Sequence, residues 1–181
     1  LEFRRVLFRS CGVVTATMRR NIAAGSQAKP GLFMLGDSRE LLHLLSGVAL
    51  KPNWAECRAA LQKLGIPASK EPDAVAGELA RSMGKPVYLT VGKDGMIVAW
   101  PDGALERVPA FPVSGPTDPV GAGDSTSAGL LLAMAAGAKP LEAAAFGCLV
   151  ASITVAQIGV TGTASPAELR EALRRHAGLS A

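Results

Sequence analysis

The chain contains few residues of the types that mark several functional classes. Aromatic residues make up 4% of its 181 residues, and there are 3 cysteines and 2 histidines. So low an aromatic content argues against a platform on which nucleic-acid bases stack. Cys11, Cys57 and Cys148 are odd in number and lack the spacing of metal-binding or redox motifs. A reducing compartment fits this pattern best, and we therefore expect a cytoplasmic protein.

Long apolar runs are also missing. A membrane-spanning helix needs about 20 consecutive apolar residues. The longest runs, near residues 129–138 and 143–158, are too short or are interrupted by Ser152, Thr154 and Gln157. No segment has the three parts of a secretory signal peptide. Both runs are therefore predicted to be buried helices, and no membrane partner is expected.

Neither sign of charge is in large excess once the N-terminus is set aside. Residues 1–10, LEFRRVLFRS, show no apolar periodicity, and LFRS matches a translated sequencing adapter, so they are excluded as a probable artefact. Without them the chain has 16 basic and 14 acidic residues, and its net charge falls from +4 to +2. The pairs Arg19-Arg20 and Arg174-Arg175 lie in helical patterns that are typical of solvated faces. No nucleic-acid partner is expected.

Short apolar segments alternate with helical patterns of about 10 to 16 residues along the chain. The first helix is predicted at residues 11–27, a strand at residues 32–35, and a turn with Asp37 before a helix that Ser38 caps. Further on, a helix is predicted at about Pro72 to Met83 and a strand at Leu105 to Val108. This order predicts an α/β domain with a mostly parallel central sheet and helices on both faces. Hairpin signals between Pro86 and Pro112 predict an antiparallel addition at one edge. His43 lies in a leucine-rich stretch without a partner at ligand spacing, so we interpret it as structural.

The segment from Asp118 to Leu131, DPVGAGDSTSAGLL, carries the clearest chemical signal. Gly121, Ala122 and Gly123 precede a helical pattern and are followed by the carboxylate of Asp124. The unpaired N–H groups of a helix start form an anion site that suits phosphate. A carboxylate there repels phosphate unless it takes a proton from a hydroxyl that attacks the phosphorus. The alternative is that Asp124 simply occupies the first turn, which carboxylates favour.

DPVGAGDSTSAGLL resembles the C-terminal signature of the ribokinase-like (PfkB) carbohydrate kinases, a D-T/P-x-G-A-G-D core followed by two small residues. The resemblance implies a three-layer ribokinase-like fold and ATP-dependent phosphoryl transfer to a sugar hydroxyl. It assigns the role of catalytic base to Asp124. It assigns the anion hole to the backbone of Gly121, Ala122 and Gly123.

A second segment, KPNWAE, resembles the N-x-x-E motif of the same family. The resemblance places Asn53 and Glu56 near the nucleotide phosphates, where they help to organise Mg²⁺ and its waters. A capping box at a helix start would by itself explain both residues. The two interpretations are compatible, because a capped helix start can also face a site.

A third segment, TVGKDG, resembles the T-x-G-x-x-G segment of the family, which lies against the ATP phosphates and ribose. Thr90, Gly92 and Gly95 become nucleotide contacts on this resemblance, with Lys93 as a further candidate. Taken alone, GKDG is an ordinary hairpin turn.

The resemblance also implies metal sites around the signature. Glu56 and Asp118 are the candidate metal ligands. The loop at residues 157–163, with Asp118 and Val120, corresponds to a segment that binds a monovalent cation such as K⁺ in several family members. Cys148 stands near the position of an asparagine that lies close to the adenine in many members, and so the adenine contact stays unassigned.

The resemblance covers residues 11–177 but only the C-terminal half or so of such a kinase. The N-terminal half, with the lid and most sugar-binding side chains, has no counterpart in the sequence. We therefore interpret residues 11–181 as the C-terminal part of a PfkB-type domain and expect this fragment to be inactive alone. A homodimer of the intact protein is expected from the family. The segments GVALKPN and IGVTGTASPAEL favour the heptose-phosphate kinase branch.

Three alternatives remain open at this point. One is a nucleotide-binding fragment without catalysis, and another is a nucleoside kinase of the same family. The third is a dinucleotide-binding oxidoreductase domain. It is disfavoured because the G-A-G segment lacks the third glycine of that fingerprint and follows a proline-rich approach.

Overall fold

The computed structural model describes residues 14–177, so the excluded residues 1–10 and the start of the first predicted helix lie outside it. Six helices are described: α1 Ala16–Ala28, α2 Trp54–Lys63, α3 Pro72–Met83, α4 Ala122–Ala135, α5 Pro140–Thr154 and α6 Pro166–Ala177. The strands are β1 Leu35–Gly36, β2 Ala49–Leu50, β3 Val87–Thr90, β4 Met96–Ala99 and β5 Leu105–Val108. Two 3-10 turns are formed by Leu42–Leu44 and Gly92–Asp94.

The five strands form one sheet in the order β1-β2-β3-β4-β5. β1, β2 and β3 are parallel to one another, and β4 and β5 continue the sheet as antiparallel strands. The antiparallel addition at one edge is thus confirmed. Since parallel strands share a carboxyl edge, the segments that follow β1, β2 and β3 leave the sheet on the same side.

Side chains of the central strands alternate between two cores, as the two-residue period of a strand requires. On β4, Ile97 and Ala99 join one core, while Met96 and Val98 join the other. The first core is covered by α2 and α3, and the second by α4 and α5. The predicted three-layer α/β fold, with helices on both faces, is confirmed.

The structure departs from the expected elements near the first strand. The leucine-rich segment after Ser38 forms only the 3-10 turn Leu42–Leu44, in which Leu42 is buried and Leu44 is exposed. β1 comprises two residues, and Leu32, expected in a strand, is exposed. His43 lies in the 3-10 turn, where burial and then Lys63 lower its pKa.

α4 and α5 pack closely against each other at Gly129 and Gly147, one glycine on each helix. A Cβ atom on Gly129 would lie 2.8 Å from Val150 Cγ2 and 3.1 Å from Gly147 Cα. A Cβ atom on Gly147 would lie 3.0 Å from the Thr126 carbonyl oxygen. The close approach explains the small residue at Gly129 by packing alone. It also fixes α4 against α5 one to two turns after Asp124.

The two cysteines that the structure describes are free and buried. Burial raises the pKa of Cys57 to about 12 and that of Cys148 to about 11. Cys148 packs in the core between the sheet and α4 and α5. Among residues 14–177, the helices are too short or too polar to cross a membrane.

We predict opposite effects of the same glycine-to-alanine change in two helices. A Cβ atom on Gly77 in α3 would contact only Arg81 Nη1, at 3.5 Å. Gly77→Ala should therefore stabilise the fold by about 0.5–1 kcal/mol, because alanine has the higher helix propensity. Gly129→Ala should instead destabilise it by roughly 1–3 kcal/mol, because the added methyl group forces α4 and α5 apart. Urea unfolding of both variants measures the difference. Equal stabilisation by both changes would contradict the described helix crossing.

Candidate functional site

The start of α2 lies directly after β2 at the carboxyl edge of the sheet. The Asn53 side-chain oxygen accepts a hydrogen bond from the Glu56 N–H (3.0 Å), and Glu56 Oε2 accepts one from the Asn53 N–H (2.9 Å). The capping box expected from the sequence is therefore present. It leaves the Asn53 amide nitrogen and Glu56 Oε1 without a partner among the described residues.

The end of β3 lies beside the start of α2. Asn53 and Thr90 form a parallel β-bridge, and the Thr90 N–H donates to the Pro52 carbonyl at 2.9 Å. The two segments that resemble nucleotide-binding motifs, KPNWAE and TVGKDG, are thus adjacent in space. Gly92 then begins the 3-10 turn that leads to β4.

Gly92 and Gly95, both predicted to contact nucleotide, lie in different surroundings. Gly92 has φ +65°, and a Cβ atom there would meet nothing within 4 Å. Gly95 has φ +91°, and its Cβ would lie 2.1 Å from the Val108 carbonyl oxygen. Backbone packing against the end of β5 therefore accounts for a glycine at Gly95, whereas the space beside Gly92 is open.

The start of α4 has a geometry unlike an ordinary helix cap. Gly121 occupies the N-cap position with φ +81°, and the Ala122 N–H turns back to the Pro119 carbonyl at 3.1 Å. The N–H groups of Gly121, Gly123 and Asp124 donate to no acceptor among the described residues. Three free donors at the positive end of a helix form a site for an anion.

Asp124 follows these donors in the first turn of α4. Its side chain is exposed and forms no hydrogen bond or ion pair with any residue between 14 and 177. It therefore caps nothing, so that capping does not account for this carboxylate, while its place in the first turn is compatible with a favourable position near the helix dipole. By comparison, Asn53 and Glu56 at α2, and Ser165 and Glu168 at α6, satisfy the N–H groups of their own helix starts.

Lys51 joins the start of α4 to the carboxyl edge of the sheet. It follows β2, is 3% exposed, and its ammonium group lies 2.9 Å from Asp37 Oδ2. A Cβ atom built on Gly123 would lie 3.6 Å from Lys51 Nζ. Ser127 of α4 also donates to Asp37 Oδ2, at 2.9 Å. The signature segment therefore lies against the residues that immediately precede Asn53.

Asp118 acts as a tether between two loops. Its Oδ1 accepts from the Val120 N–H (3.0 Å) and its Oδ2 from the Gly159 N–H (3.1 Å). These two hydrogen bonds hold the pKa of Asp118 below its usual value, and the one from Val120 has the larger effect. The Gln157 side chain closes the same loop by bonding the backbone of Thr163. The loop at residues 157–163 is thus fastened to the signature, next to Gly121, whose Cβ would lie 3.5 Å from Thr161 Cγ2.

The candidate metal ligands Glu56 and Asp118 do not form part of a protein cage. In residues 14–177 there is no group of three or more His, Cys, Asp or Glu side chains arranged to hold a metal ion. Mg²⁺ is commonly held by one or two carboxylates together with phosphates and water. Glu56 fits such a role because Oε1 is not used by the capping box, whereas both oxygens of Asp118 already accept backbone hydrogen bonds.

A separate open cavity of about 550 Å³ lies along α2 and the turn after it, lined by Trp54, Arg58, Gln62 and Ile66 among others. None of the site residues predicted from sequence lines it. The candidate site instead occupies the carboxyl edge of the sheet, where Thr90 contacts Asn53 and Pro52, and Gly123 lies beside Lys51.

The sequence predicted the three site segments but missed the contacts between them. Lys51 was noted only as part of KPN, and Asp37 only as part of a turn after the first strand. The available signal was a lysine directly after a buried strand and an aspartate directly after the neighbouring one, since both carboxyl ends lie at one edge. Ser127 gave no separate signal within the small-residue run of α4.

Residues 14–168 match the family model described as pfkB family carbohydrate kinase. Bifunctional protein HldE of Bradyrhizobium diazoefficiens is 32% identical over 174 residues, which cover 94% of this chain and 34% of that protein. Bifunctional protein HldE of a Caulobacter species (strain K31) is 33% identical over 155 residues, covering 82% of this chain and 30% of that protein. The chain thus spans about a third of the length of these curated relatives.

Solved structures share the fold. The ribokinase of Arabidopsis thaliana, solved with ribose and ATP, gives a TM-score of 0.69 at 20% identity over 86% of this chain and 53% of its own. The ribokinase of Thermotoga maritima gives a TM-score of 0.65 at 22% identity over 78% of this chain and 49% of its own. The ribokinase-like fold expected from the signature is confirmed.

We predict that the two glycines of the β3–β4 turn differ in what they contribute to stability. Gly92→Ala should cost roughly 1–2 kcal/mol for the left-handed backbone conformation. Gly95→Ala should cost at least about 3 kcal/mol, because the methyl group meets the backbone of Val108. Urea unfolding without nucleotide measures both costs. Similar costs for both changes would contradict the packing of Gly95 under β5.

The Asp118 tether should respond to acid. Because the folded-state pKa of Asp118 is lowered, its contribution is complete above the ordinary aspartate pKa, near 4, and is lost as pH falls through the lowered value. We expect the Val120 and Gly159 amide resonances to move together only below about pH 4 in an NMR titration. Asp118→Asn should abolish this transition. Titration of the two resonances at different pH values would contradict a shared carboxylate.

Proposed function

The chain belongs to the pfkB family of carbohydrate kinases, and from that premise we propose that it serves ATP-dependent transfer of the γ-phosphate to a hydroxyl group of a sugar or sugar phosphate. The observation that carries this proposal is the open start of α4. Three free N–H donors and an exposed carboxylate without a partner occur there within one helical turn.

The backbone of Gly121 to Asp124 serves as the anion site for the phosphoryl group. Phosphoryl transfer needs little covalent chemistry from the protein, and positioning and electrostatic stabilisation supply most of the acceleration. Backbone donors that are fixed before the reaction need no reorganisation when charge develops. Gly121, Ala122 and Gly123 permit the close approach, since none of them has a side chain beyond Cβ.

Asp124 serves as the general base. A carboxylate beside a phosphate site is unfavourable for binding, and its removal of the acceptor hydroxyl proton offsets that cost only if the hydroxyl attacks the phosphorus. The proton moves to Asp124, the hydroxyl oxygen bonds to the γ-phosphorus, and ADP leaves. Exposure of Asp124 and the lack of a competing contact support this role.

Glu56 and Asn53 serve to hold Mg²⁺ through water and phosphate oxygens. Bound Mg²⁺ neutralises charge on the β- and γ-phosphates. The chain orients Glu56 through the hydrogen bond that its Oε2 accepts from the Asn53 N–H, which leaves Oε1 without a partner among the described residues. A monovalent cation such as K⁺ is assigned to the loop at residues 157–163, close to Asp118 and Val120.

Thr90 and Gly92 contact the ribose and phosphates of ATP, and Lys93 is a further candidate contact. Their support is the β-bridge between Asn53 and Thr90, which aligns the two segments, together with the open space beside Gly92. Gly95 contributes by shaping the turn. The adenine contact is not assigned to Cys148, which is buried in the core.

The acceptor is proposed to be a heptose phosphate or a related sugar. The support is the similarity of GVALKPN and IGVTGTASPAEL to that branch, together with relatives that carry the name HldE. A reducing cytoplasm and a homodimer of the intact protein are part of the same proposal.

A second candidate function is nucleotide binding without catalysis. It is favoured by one observation, that the chain spans about a third of the length of the HldE relatives. Sugar-binding side chains supplied by the rest of such a protein would then lie outside residues 11–181. ATP would bind at the same edge of the sheet, with no transfer.

We predict that Asp124→Asn reduces sugar-dependent ADP release by about 10²–10⁴-fold, the range expected for loss of a general base, while ATP affinity is retained or rises. Turnover and ATP titration by calorimetry measure the two effects. Asp102→Asn is the matched control, because Asp102 is exposed at the tip of the β4–β5 hairpin and bonds only the Ala104 N–H.

The outcomes separate the two candidates. ATP binding without ADP release from the unaltered chain favours the nucleotide-binding fragment. Near-normal turnover of Asp124→Asn would exclude this residue as the base. Binding of NADH in preference to ATP would reject both candidates in favour of a dinucleotide-binding domain.

A further inference from the structure

We propose that Lys51, Asp37 and Ser127 form a positioning brace that sets the first turn of α4, and with it the anion site and Asp124, against the carboxyl edge of the sheet. The brace is defined as these three side chains, and its role in catalysis rests on the proposed function. Its contacts come from three separate elements: the segment after β1, the segment after β2, and α4 itself.

α4 packs on the sheet through apolar side chains, but its polar contacts with the elements that precede it are few. Within residues 14–177, the bond from Ser127 Oγ to Asp37 Oδ2 is the one hydrogen bond that joins α4 to any residue before Pro119. Gly123 and Asp124 are exposed, and the close packing on α5 begins only at Thr126 and Gly129. Apolar contacts therefore do not fix the orientation of the first turn, and the brace does.

Lys51 is buried. Its side chain is 3% exposed, while that of its partner Asp37 is 35% exposed. Moving a charge out of water carries a desolvation cost that an ion pair only partly offsets, so a buried pair is weak evidence for stability. The burial of Lys51 beside the site is better explained by its contacts with Asp37 and Gly123 than by a gain in stability. Lys51 Nζ lies beside Gly123, where an added Cβ atom would be in ordinary contact with it at 3.6 Å.

The Ser127 hydroxyl contacts both Asp37 and the first turn of α4. Its hydroxyl lies 2.9 Å from Asp37 Oδ2 and 3.0 Å from the Gly123 carbonyl oxygen, one turn earlier in α4. Asp37 thus receives the Lys51 ammonium group and the Ser127 hydroxyl on the same oxygen. A shift of any one member changes the angle at which Gly123 and Asp124 meet a bound phosphoryl group. Misplacement of a reacting group by about 1 Å can lower the rate about 10²-fold.

The decisive variants are Ser127→Ala and Lys51→Met. Each should lower kcat for sugar-dependent ADP release by about 10- to 100-fold, with a change in KM for ATP of no more than about 3-fold. Ser127→Thr keeps the hydroxyl group and should restore most of the turnover. Ser152→Ala is the matched control, because Ser152 Oγ bonds only the Leu149 carbonyl within α5, and it should leave kcat unchanged.

The effect of Ser127→Ala on kcat should depend on whether Asp124 is present, and a simple loss of stability would not produce this dependence. In the Asp124→Asn background, Ser127→Ala should lower kcat by less than about 2-fold, because the group that the brace positions is already gone. Full additivity of the two changes would overturn the proposal. Loss of turnover that tracks only the folded fraction, measured by urea unfolding, would overturn it as well.

A readout without activity keeps the brace testable if the proposed function fails. In the ligand-free chain, Ser127→Ala and Lys51→Met should shift the amide resonances of Gly123 and Asp124, while Ser152→Ala should not. If the unaltered chain releases no ADP yet these shifts appear, the brace stands and the kinase proposal for this chain falls. Unchanged Gly123 and Asp124 resonances in both variants would reject the brace whatever the activity.

Discussion

Unsatisfied backbone donors at the start of α4 are the constraint on which the site depends. A buried or exposed N–H group that lacks a protein partner must bind water or a ligand. α2 and α6 satisfy theirs with their own side chains, through Asn53 and Ser165. α4 places Gly121 at that position instead, in a left-handed conformation that only glycine adopts easily. The free N–H groups at the start of α4 are therefore available to bind an anion.

The rest of the fold holds this open helix start in place. Gly129 and Gly147 bring α4 onto α5, and α5 packs on the face of the sheet that carries Tyr88 and Val98. Asp118 ties the approach to α4 to the loop after α5. β2 and β3 place Asn53 beside Thr90. Rigid elements therefore surround a first turn that itself has few contacts, which suits a segment that must accept a ligand.

Much of this fold could be predicted from the sequence, because its signals are local. The alternation of short strands with helices gave the α/β class, and the bounds Pro72–Met83 and Leu105–Val108 were predicted as observed. Asn53 and Glu56 were predicted as a capping box from their spacing alone. Failures occurred where tertiary packing decides. The leucines after Ser38 form only a 3-10 turn, and the backbone of Val108 on β5 dictates the glycine at Gly95.

The site was predictable in its parts but not in its assembly. Asp124 and the glycines before it carry a pattern that indicates phosphate chemistry, since few other functions need free helix donors beside a carboxylate. The contacts of Lys51 with Asp37 and Gly123, and of Ser127 with Asp37, could not be predicted, because they join residues up to 90 positions apart through the sheet edge. The proline-rich approach to Gly121 that the sequence indicated is an irregular segment between β5 and α4.

The central claim is that the free donors of α4 hold the phosphates of a nucleotide. Titration of ¹⁵N-labelled protein with a non-hydrolysable ATP analogue and Mg²⁺ tests it most directly. The account predicts that the amide resonances of Gly121, Gly123 and Asp124 undergo the largest shifts, with saturation at one stoichiometric equivalent. Shifts centred on the cavity beside Trp54 and Arg58, with these three amides unmoved, would contradict it.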